Sequence, residues 1–195
     1  GTAQLTAIFS GSGASSTLLL EPAQVADTNS YWYDYTDPSY PVGTNGAVAF
    51  KDMEATKYVQ VANGTINGNV VTFTGTCITN TLDINQNSSH TNLIGNWWTV
   101  YAFVKDLASD YSTFNISEVG LTNGMPFTVS LKTDSDITRH IQYGFITRGP
   151  NVWPSDVTNY GKVLIQSLDA NPTNVYVDSS AGWVGYMNWF DTPQN

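Results

Sequence analysis

The chain has 195 residues, of which 41% are hydrophobic and 13% aromatic, a composition that can bury a core and is not that of a disordered protein. Charged residues make up only 12%, and the seven lysines and arginines form no cluster in a chain of formal net charge -9. This distribution argues against binding a nucleic-acid backbone or an anionic membrane surface.

From its N-terminus onward the chain alternates short apolar stretches with turns. In MPFTVSLKT, for example, Phe127, Val129 and Leu131 fall on one face of an extended backbone. Asn-Gly pairs, which suit positive φ, recur between such stretches, and NGTINGNVVTF (63–73) predicts a hairpin. The predicted strands cover 4–10, 16–22, 47–53, 57–63, 69–75, 97–106, 125–133, 139–148, 161–168 and 173–179.

The order of these elements predicts the fold class. About ten short strands with frequent turns are typical of an all-β protein, here an antiparallel β-sandwich or jelly roll with little helix. Only residues 21–26 (EPAQVA) offer a modest helix candidate, and the lack of helices between strands argues against a parallel sheet. Because all-β chains of this length often form one unit, we expect a single β-sandwich domain over 1–195.

The segment YWYDYTDPSY (31–40) is the richest in aromatic residues, and two more tryptophans lie in GPNVWPSD and SSAGWVGY. Sugar rings pack a C–H face on aromatic rings, while carboxylates and amides bond their hydroxyls, and an exposed large aromatic ring favours a binding role. The alternative is that these rings fill the ends of the sandwich. The residues expected to contact a glycan are Trp32, Asp34, Tyr35, Asp37, Trp153 and Trp183.

Few carboxylates could support hydrolysis. The chain has three glutamates, and a glycosidase needs two carboxyl groups across a cleft. Asp52 and Glu54 share one face of a strand at a separation of about 7 Å, and Glu118 is the remaining candidate. The alternative is that Asp52 and Glu54 are solvated charges beside Lys51 and Lys57.

The segment RHIQYGF contains a second catalytic candidate. Period two puts His140 and Gln142 on one face, and Ile141 and Tyr143 on the other. His140-Ile141-Gln142 resembles, in reversed order, the Q-[IV]-H strand motif of the jelly-roll alginate lyases, whose other motifs do not occur here. The resemblance implies a polysaccharide lyase in which His140 and Tyr143 serve as acid and base. The alternative is a hydrogen-bonded structural histidine.

The sequence lacks the ligand spacing of a zinc site, and we expect no organic cofactor. A structural calcium ion is the one group it allows, held by Asp134 and Asp136 or by Asp34 and Asp37. The single cysteine, Cys77, lies in VVTFTGTCI and is expected to be a buried apolar residue.

Together these features favour a secreted, non-catalytic carbohydrate-binding domain for a neutral polysaccharide, free or attached to a parent enzyme. No apolar run reaches the length of a transmembrane helix, and three Asn-x-Ser/Thr sequons, beginning at Asn63, Asn87 and Asn115, permit secretion. The alternatives are a polysaccharide-cleaving jelly roll, either hydrolase or lyase, and a structural subunit that self-assembles, such as a capsid, fibre or adhesin domain.

Overall fold

The structure, a computed structural model, describes residues 3–4, 6–25, 52–82, 98–150, 157–170, 176–177 and 179–190. Nearly all regular structure in these ranges is β-strand, and the helices there are three short 3-10 turns, Gly13–Ser15, Val157–Tyr160 and Ser179–Ala181. The strands are β1 (Ala3–Gln4), β2 (Ala7–Ser10), β3 (Thr17–Leu20), β4 (Gln24–Val25), β5 (Asp52–Val61), β6 (Val70–Asn80), β7 (Thr99–Leu107), β8 (Phe114–Gly120), β9 (Pro126–Lys132), β10 (His140–Pro150), β11 (Val163–Ala170) and β12 (Val184–Phe190).

Ten of the strands form two five-stranded antiparallel sheets. The front sheet has the order β12-β5-β10-β7-β8, the back sheet has the order β2-β3-β11-β6-β9, and β1 and β4 form a separate ribbon. The predicted antiparallel β-sandwich is therefore confirmed, while its jelly-roll variant stays a prediction. None of the described helices is long and apolar enough to cross a membrane.

The core lies between the sheets and is centred on aromatic rings. On β10 the odd-numbered side chains Ile141, Tyr143 and Phe145 point inward. The ring of Phe145 lies 5.5 Å from that of Phe73, on β6 of the back sheet. Rings of this size bury large apolar areas and stabilise the contact between the two sheets. Cys77 is fully buried in the same core, as the sequence predicts, and burial raises the pKa of its thiol.

Two connections differ from the prediction. The strands expected over 47–53 and 57–63 are joined, because β5 continues from Asp52 to Val61 without a break. The hairpin predicted over 63–73 is wrong, since β5 belongs to the front sheet and β6 to the back sheet. The Asn-Gly turns at Gly64 and Gly68, both with positive φ, instead carry the chain from one sheet to the other.

Other differences arise where a strand has little periodic contrast. The helix candidate over 21–26 is wrong, because Gln24–Val25 forms β4. The strand predicted over 173–179 is not formed at 176–177, and Ser179 begins a 3-10 turn. The sequence does not predict β8 or β12. β8 is an edge strand of mixed polar and apolar residues with no buried residue, and β12 follows a tryptophan beside a glycine, which is typical of a loop.

Gly144 allows the central strands of the front sheet to approach closely. It pairs with Tyr58 on β5 and with Phe103 on β7. An added Cβ would clash with the Lys57 carbonyl oxygen and lie 2.7 Å from the Tyr58 Cα atom, both backbone atoms of β5. A glycine inside a strand often marks such a backbone approach.

We expect Gly144→Ala to lower the free energy of unfolding by about 1–3 kcal/mol or more, because β5 and β10 must separate to admit the methyl group. The matched control is Gly120→Ala on edge strand β8, where an added Cβ meets only the Tyr101 Cε1 atom at 3.8 Å. The measurement is urea unfolding of the three proteins. Equal effects of the two substitutions would contradict the close approach.

A buried carboxylate ties the end of β7 to the turn between β9 and β10. The side chain of Asp106 is fully buried and accepts hydrogen bonds from Arg139 Nε at 2.6 Å and from the Asp134 backbone N–H at 2.7 Å. Arg139 Nη2 also donates to the Asp106 carbonyl oxygen at 3.2 Å. The hydrogen bond to Asp106 raises the pKa of Arg139.

Removing one member of this pair leaves the other without its charge partner. We expect Asp106→Ala to lower the free energy of unfolding by about 3–5 kcal/mol. The double variant Asp106→Ala/Arg139→Met should lose less than the sum of the two single losses, because the two side chains are coupled. Denaturant unfolding of the four proteins measures this coupling, and strictly additive losses would show that the ion pair does not hold the turn.

Candidate functional site

The outer face of the front sheet carries both charged and aromatic side chains. On β10 the even-numbered residues His140, Gln142 and Arg148 point away from the core, opposite to the inward Ile141, Tyr143 and Phe145. In register with them on β5 stand Gln60, opposite Gln142, and Glu54, opposite Arg148. The side chains form two groups along this face.

The first group is the carboxylate–arginine cluster, formed by Glu54, Tyr101, Lys105, Glu118 and Arg148. Arg148 Nε donates to Glu54 Oε2 at 2.9 Å, and Nη2 and Nη1 donate to Glu118 Oε1 and Oε2 at 2.7 and 3.2 Å. The guanidinium carbon lies 5.1 Å from the centre of the Tyr101 ring. The side chains of Arg148, Glu54 and Glu118 are 24%, 20% and 24% exposed. The cluster is therefore partly accessible to solvent, while its side chains are held by hydrogen bonds.

The two cations of this cluster differ in their partners. Burial by itself lowers the pKa of Arg148, but the hydrogen bonds to Glu118 and Glu54 outweigh it and the pKa is raised. Burial lowers the pKa of Lys105, against the opposing effect of the two glutamates. The Lys105 ammonium lies 4.7 Å from the centre of the Phe114 ring and makes no hydrogen bond or ion pair within the described part of the chain. Within the described part of the chain, Lys105 is therefore the cation of this cluster whose N–H donors are not bound to a carboxylate.

The second group is the tyrosine–histidine cluster, formed by Tyr58, Tyr111, His140 and Tyr186. The Tyr111 and His140 rings stack with centroids 4.5 Å apart and planes 9° from parallel. Burial raises the pKa of Tyr58, and the nearby Tyr111 and Tyr186 hydroxyls add to the effect. Tyr111 and Tyr186 are 52% and 58% exposed, so their rings can meet a ligand.

The outer face of the back sheet has a different chemistry. Its described side chains are mostly threonine, serine and aliphatic residues, such as Thr72 and Ser130, whose hydroxyls lie 2.9 Å apart. The aromatic rings of the back sheet, Phe9, Phe73 and Phe127, are not on this outer face, because they belong to the core or pack against it. Among the described residues, aromatic side chains on an outer face are therefore a property of the front sheet.

Three catalytic candidates from the sequence lie on the outer face of the front sheet, but only two of them are close together. Glu54 and Glu118 bind the same guanidinium, and His140 lies at the far end of the same face. Asp52 begins β5, but its side chain is outside the described residues. Tyr143 points into the core, where burial raises its pKa to about 12, and the structure does not bring it together with His140.

Of the six predicted glycan-binding residues, one is described. Trp183 packs on the core, with its ring 5.9 Å from that of Phe145 and 14° from parallel. Its indole Nε1 is buried and has no hydrogen-bond partner among the described residues. Trp32, Asp34, Tyr35, Asp37 and Trp153 lie outside the described residues.

The predicted calcium ligands Asp134 and Asp136 bind backbone in the turn between β9 and β10. Asp134 Oδ1 accepts the Asp136 N–H at 2.9 Å, and Asp136 Oδ1 accepts the N–H and hydroxyl of Thr138 at 2.9 and 2.8 Å. The bonds from Thr138 lower the pKa of Asp136. The described residues contain no group of three or more side chains with the ligand types of a metal site, and a calcium ion here stays a prediction.

Sequence reasoning does not select most of the residues that build this face. Tyr58, Tyr101, Lys105, Tyr111, Arg148 and Tyr186 are not among the candidates named from the sequence. The sequence signal that could have found Arg148 is the alternation of side chains along a strand. Arg148 lies an even number of residues, eight, after His140 in the same strand, so the two side chains share one face. Comparisons with protein-family models, curated proteins and solved structures found no match to this chain.

The position of Tyr143 has a consequence at high pH. Its pKa is raised from 10.0 to about 12, so the unfolded chain releases this proton first and stability is lost as pH rises above about 10. We expect Tyr143→Phe to reduce that loss between pH 10 and 12. The measurement is thermal unfolding of both proteins from pH 7 to 12, and identical pH profiles would place the hydroxyl in contact with water.

Proposed function

We propose that this protein is a secreted carbohydrate-binding domain that holds a neutral polysaccharide on the outer face of its front sheet. The observation that carries the proposal is the joint presence, on one described face, of exposed tyrosine rings and a network of charged hydrogen-bonding groups. The exposed position of the sequon asparagine Asn115 supports an extracellular location.

The chemistry of the face suits the two sides of a sugar. The C–H face of a pyranose packs on an aromatic ring such as Tyr58 or Tyr186. Its hydroxyls can donate to Glu54 and Glu118 and accept from Lys105. Between the two clusters, Gln142 Nε2 donates to Gln60 Oε1 at 2.8 Å. Gln142 is buried and Gln60 is exposed, so Gln60 is the amide that a ligand can reach.

A glycoside hydrolase is the second candidate, because Glu54 and Glu118 reach the same guanidinium from different strands. Hydrolysis needs two carboxyl groups with different roles, one acid and one nucleophile or base, whose environments push their pKa values apart. Here both carboxylates accept hydrogen bonds from the same cation, and this shared role favours binding over hydrolysis.

A lyase and a self-assembling subunit have less support in the described residues. A lyase that used His140 with Tyr143 would need both at one site, and they lie on opposite faces of β10. Self-assembly would be favoured by a continuous exposed apolar face. The exposed apolar residues Ile8, Val70, Met125 and Ile137 are distributed over several strands and turns. Those of the front sheet and its β7–β8 turn, Tyr111, Phe114, Val184 and Tyr186, share that side of the sandwich with the charged carboxylate–arginine cluster and do not form an unbroken apolar surface.

The proposal is tested by affinity electrophoresis in gels containing neutral polysaccharides such as β-glucans, xylans and mannans. We expect retardation of the wild type. Glu118→Gln, which keeps the side-chain shape and removes the charge, should weaken binding about 10-fold or more, because hydrogen bonds to charged groups contribute about 1.5–3 kcal/mol. Thr72→Ala on the back sheet is the matched control and should bind like the wild type.

The same proteins are incubated with each polysaccharide, and reducing ends are counted. Release of reducing ends by the wild type but not by Glu118→Gln would replace binding with hydrolysis as the function. Absence of retardation in every gel, or equal loss in Thr72→Ala and Glu118→Gln, would reject the front face as a glycan site.

A further inference from the structure

Tyr111 has an unusual backbone conformation. It has φ 61°, and it is the one non-glycine residue with positive φ in the described part of the chain. Side chains with a Cβ are disfavoured in this left-handed region, and a bulky aromatic residue there is an outlier. Asparagine or glycine would fit the same turn with less strain, so the turn itself does not require a tyrosine.

The turn between β7 and β8 holds this conformation by hydrogen bonds that do not involve the ring. The Tyr111 N–H donates to the Ala108 carbonyl oxygen at 2.9 Å, and the Ala108 N–H donates to the Thr113 carbonyl oxygen at 2.9 Å. Asp110 Oδ1 accepts the N–H and hydroxyl of Ser112 at 3.0 and 2.6 Å. Strain that is held in place by its surroundings is typical of binding and catalytic sites.

The strained backbone places the Tyr111 ring flat on His140. The imidazole is itself fixed, with Nδ1 3.1 Å from Asn63 Oδ1 and Nε2 3.3 Å from the Ser109 carbonyl oxygen. Asn63 is oriented in turn by its Nδ2, which donates to the Thr138 carbonyl oxygen at 3.2 Å. One side of the Tyr111 ring is thus supported by a fixed ring, and the tyrosine as a whole is half exposed.

We propose that Tyr111 is a stacking platform for a pyranose ring at one end of the front face, and that this face binds an extended oligosaccharide instead of a single sugar. The inference rests on the proposed function and deepens it. His140 and Arg148 are eight steps apart on β10, about 27 Å at roughly 3.4 Å per residue. A ligand that reaches from the Tyr111 ring on His140 to the ion pairs of Arg148 must therefore be a chain of several sugars.

The chemistry favours a sugar ring over a charged or purely apolar group. A ring already stacked on one side offers its other side to a flat surface that is apolar and rimmed by hydroxyls. The polar groups beside this platform are the Tyr58 hydroxyl and the Gln60 amide, whose Nε2 lies 3.4 Å from His140 Nδ1.

The test compares wild type, Tyr111→Ala, Tyr111→Trp and Tyr111→Gly by calorimetric titration with a disaccharide and a hexasaccharide of whichever neutral polysaccharide retards the wild type. We expect the wild type to bind the hexasaccharide more tightly than the disaccharide. Tyr111→Ala and Tyr111→Gly should lose about 10-fold in hexasaccharide affinity, so that they bind the hexasaccharide no more tightly than the disaccharide. Tyr111→Trp keeps an aromatic ring and should still bind the hexasaccharide more tightly.

Unfolding measurements on the same proteins separate a binding role from a structural one. Tyr111→Gly should be at least as stable as the wild type, because glycine adopts positive φ without strain. A Tyr111→Gly protein that is less stable than wild type would show that the ring holds the turn, and would overturn the inference.

The binding results separate this inference from the proposed function. If affinity increases equally from disaccharide to hexasaccharide in the wild type and in Tyr111→Ala, Tyr111 is not a stacking platform, but the front face remains the glycan site. A wild type that binds no neutral glycan of any length would overturn both.

Discussion

The core and the candidate site both depend on the alternation of side chains along β10. Because this strand pairs with β5 on one side and β7 on the other, its backbone is fixed and a shift by one residue would exchange its two faces. Phe145, which packs on Phe73 of the back sheet, determines which face points inward. The same constraint directs Arg148 and His140 outward, so the packing of the core sets the position of both clusters.

The outer face is kept in shape by contacts that are independent of any ligand. Glu54 and Glu118 come from β5 and β8, which do not touch in the sheet, and Arg148 on β10 spans the distance to both. Gly144 brings β5 and β10 together in the middle of the face. At the far end, Tyr111 is held by its turn and by His140. Groups oriented before binding lose less conformational entropy when a ligand arrives, which favours affinity for a flexible polysaccharide.

Local pattern predicts the fold class because most strands have strong period-two contrast, as in MPFTVSLKT. It does not predict β8, an edge strand of mixed polar and apolar residues, none of which is fully buried. Glu54, Glu118 and His140 could be named by residue type alone. Their grouping could not be predicted from the sequence. Glu54 and Glu118 are brought together by the pairing register of four strands, and both bind Arg148, which is far from them in sequence. Trp183 shows a different limit of local reasoning: its glycine neighbour predicts a position outside a strand, which is where it lies, but not that its ring packs on the core.

The charges of the described face argue for the class of ligand. Glu54 and Glu118 balance Arg148 and Lys105, so the carboxylate–arginine cluster has no formal net charge within a chain of net charge -9. A polyanion would meet repulsion from the whole protein and find Arg148 already paired. A polycation would be attracted at long range, but its charges would compete with Arg148 for the two carboxylates. A neutral chain of hydroxyls meets neither obstacle, since it can add hydrogen bonds around the existing ion pairs and stack on the tyrosines without separating any charges. The affinity of such a ligand depends on direct contacts and only weakly on ionic strength.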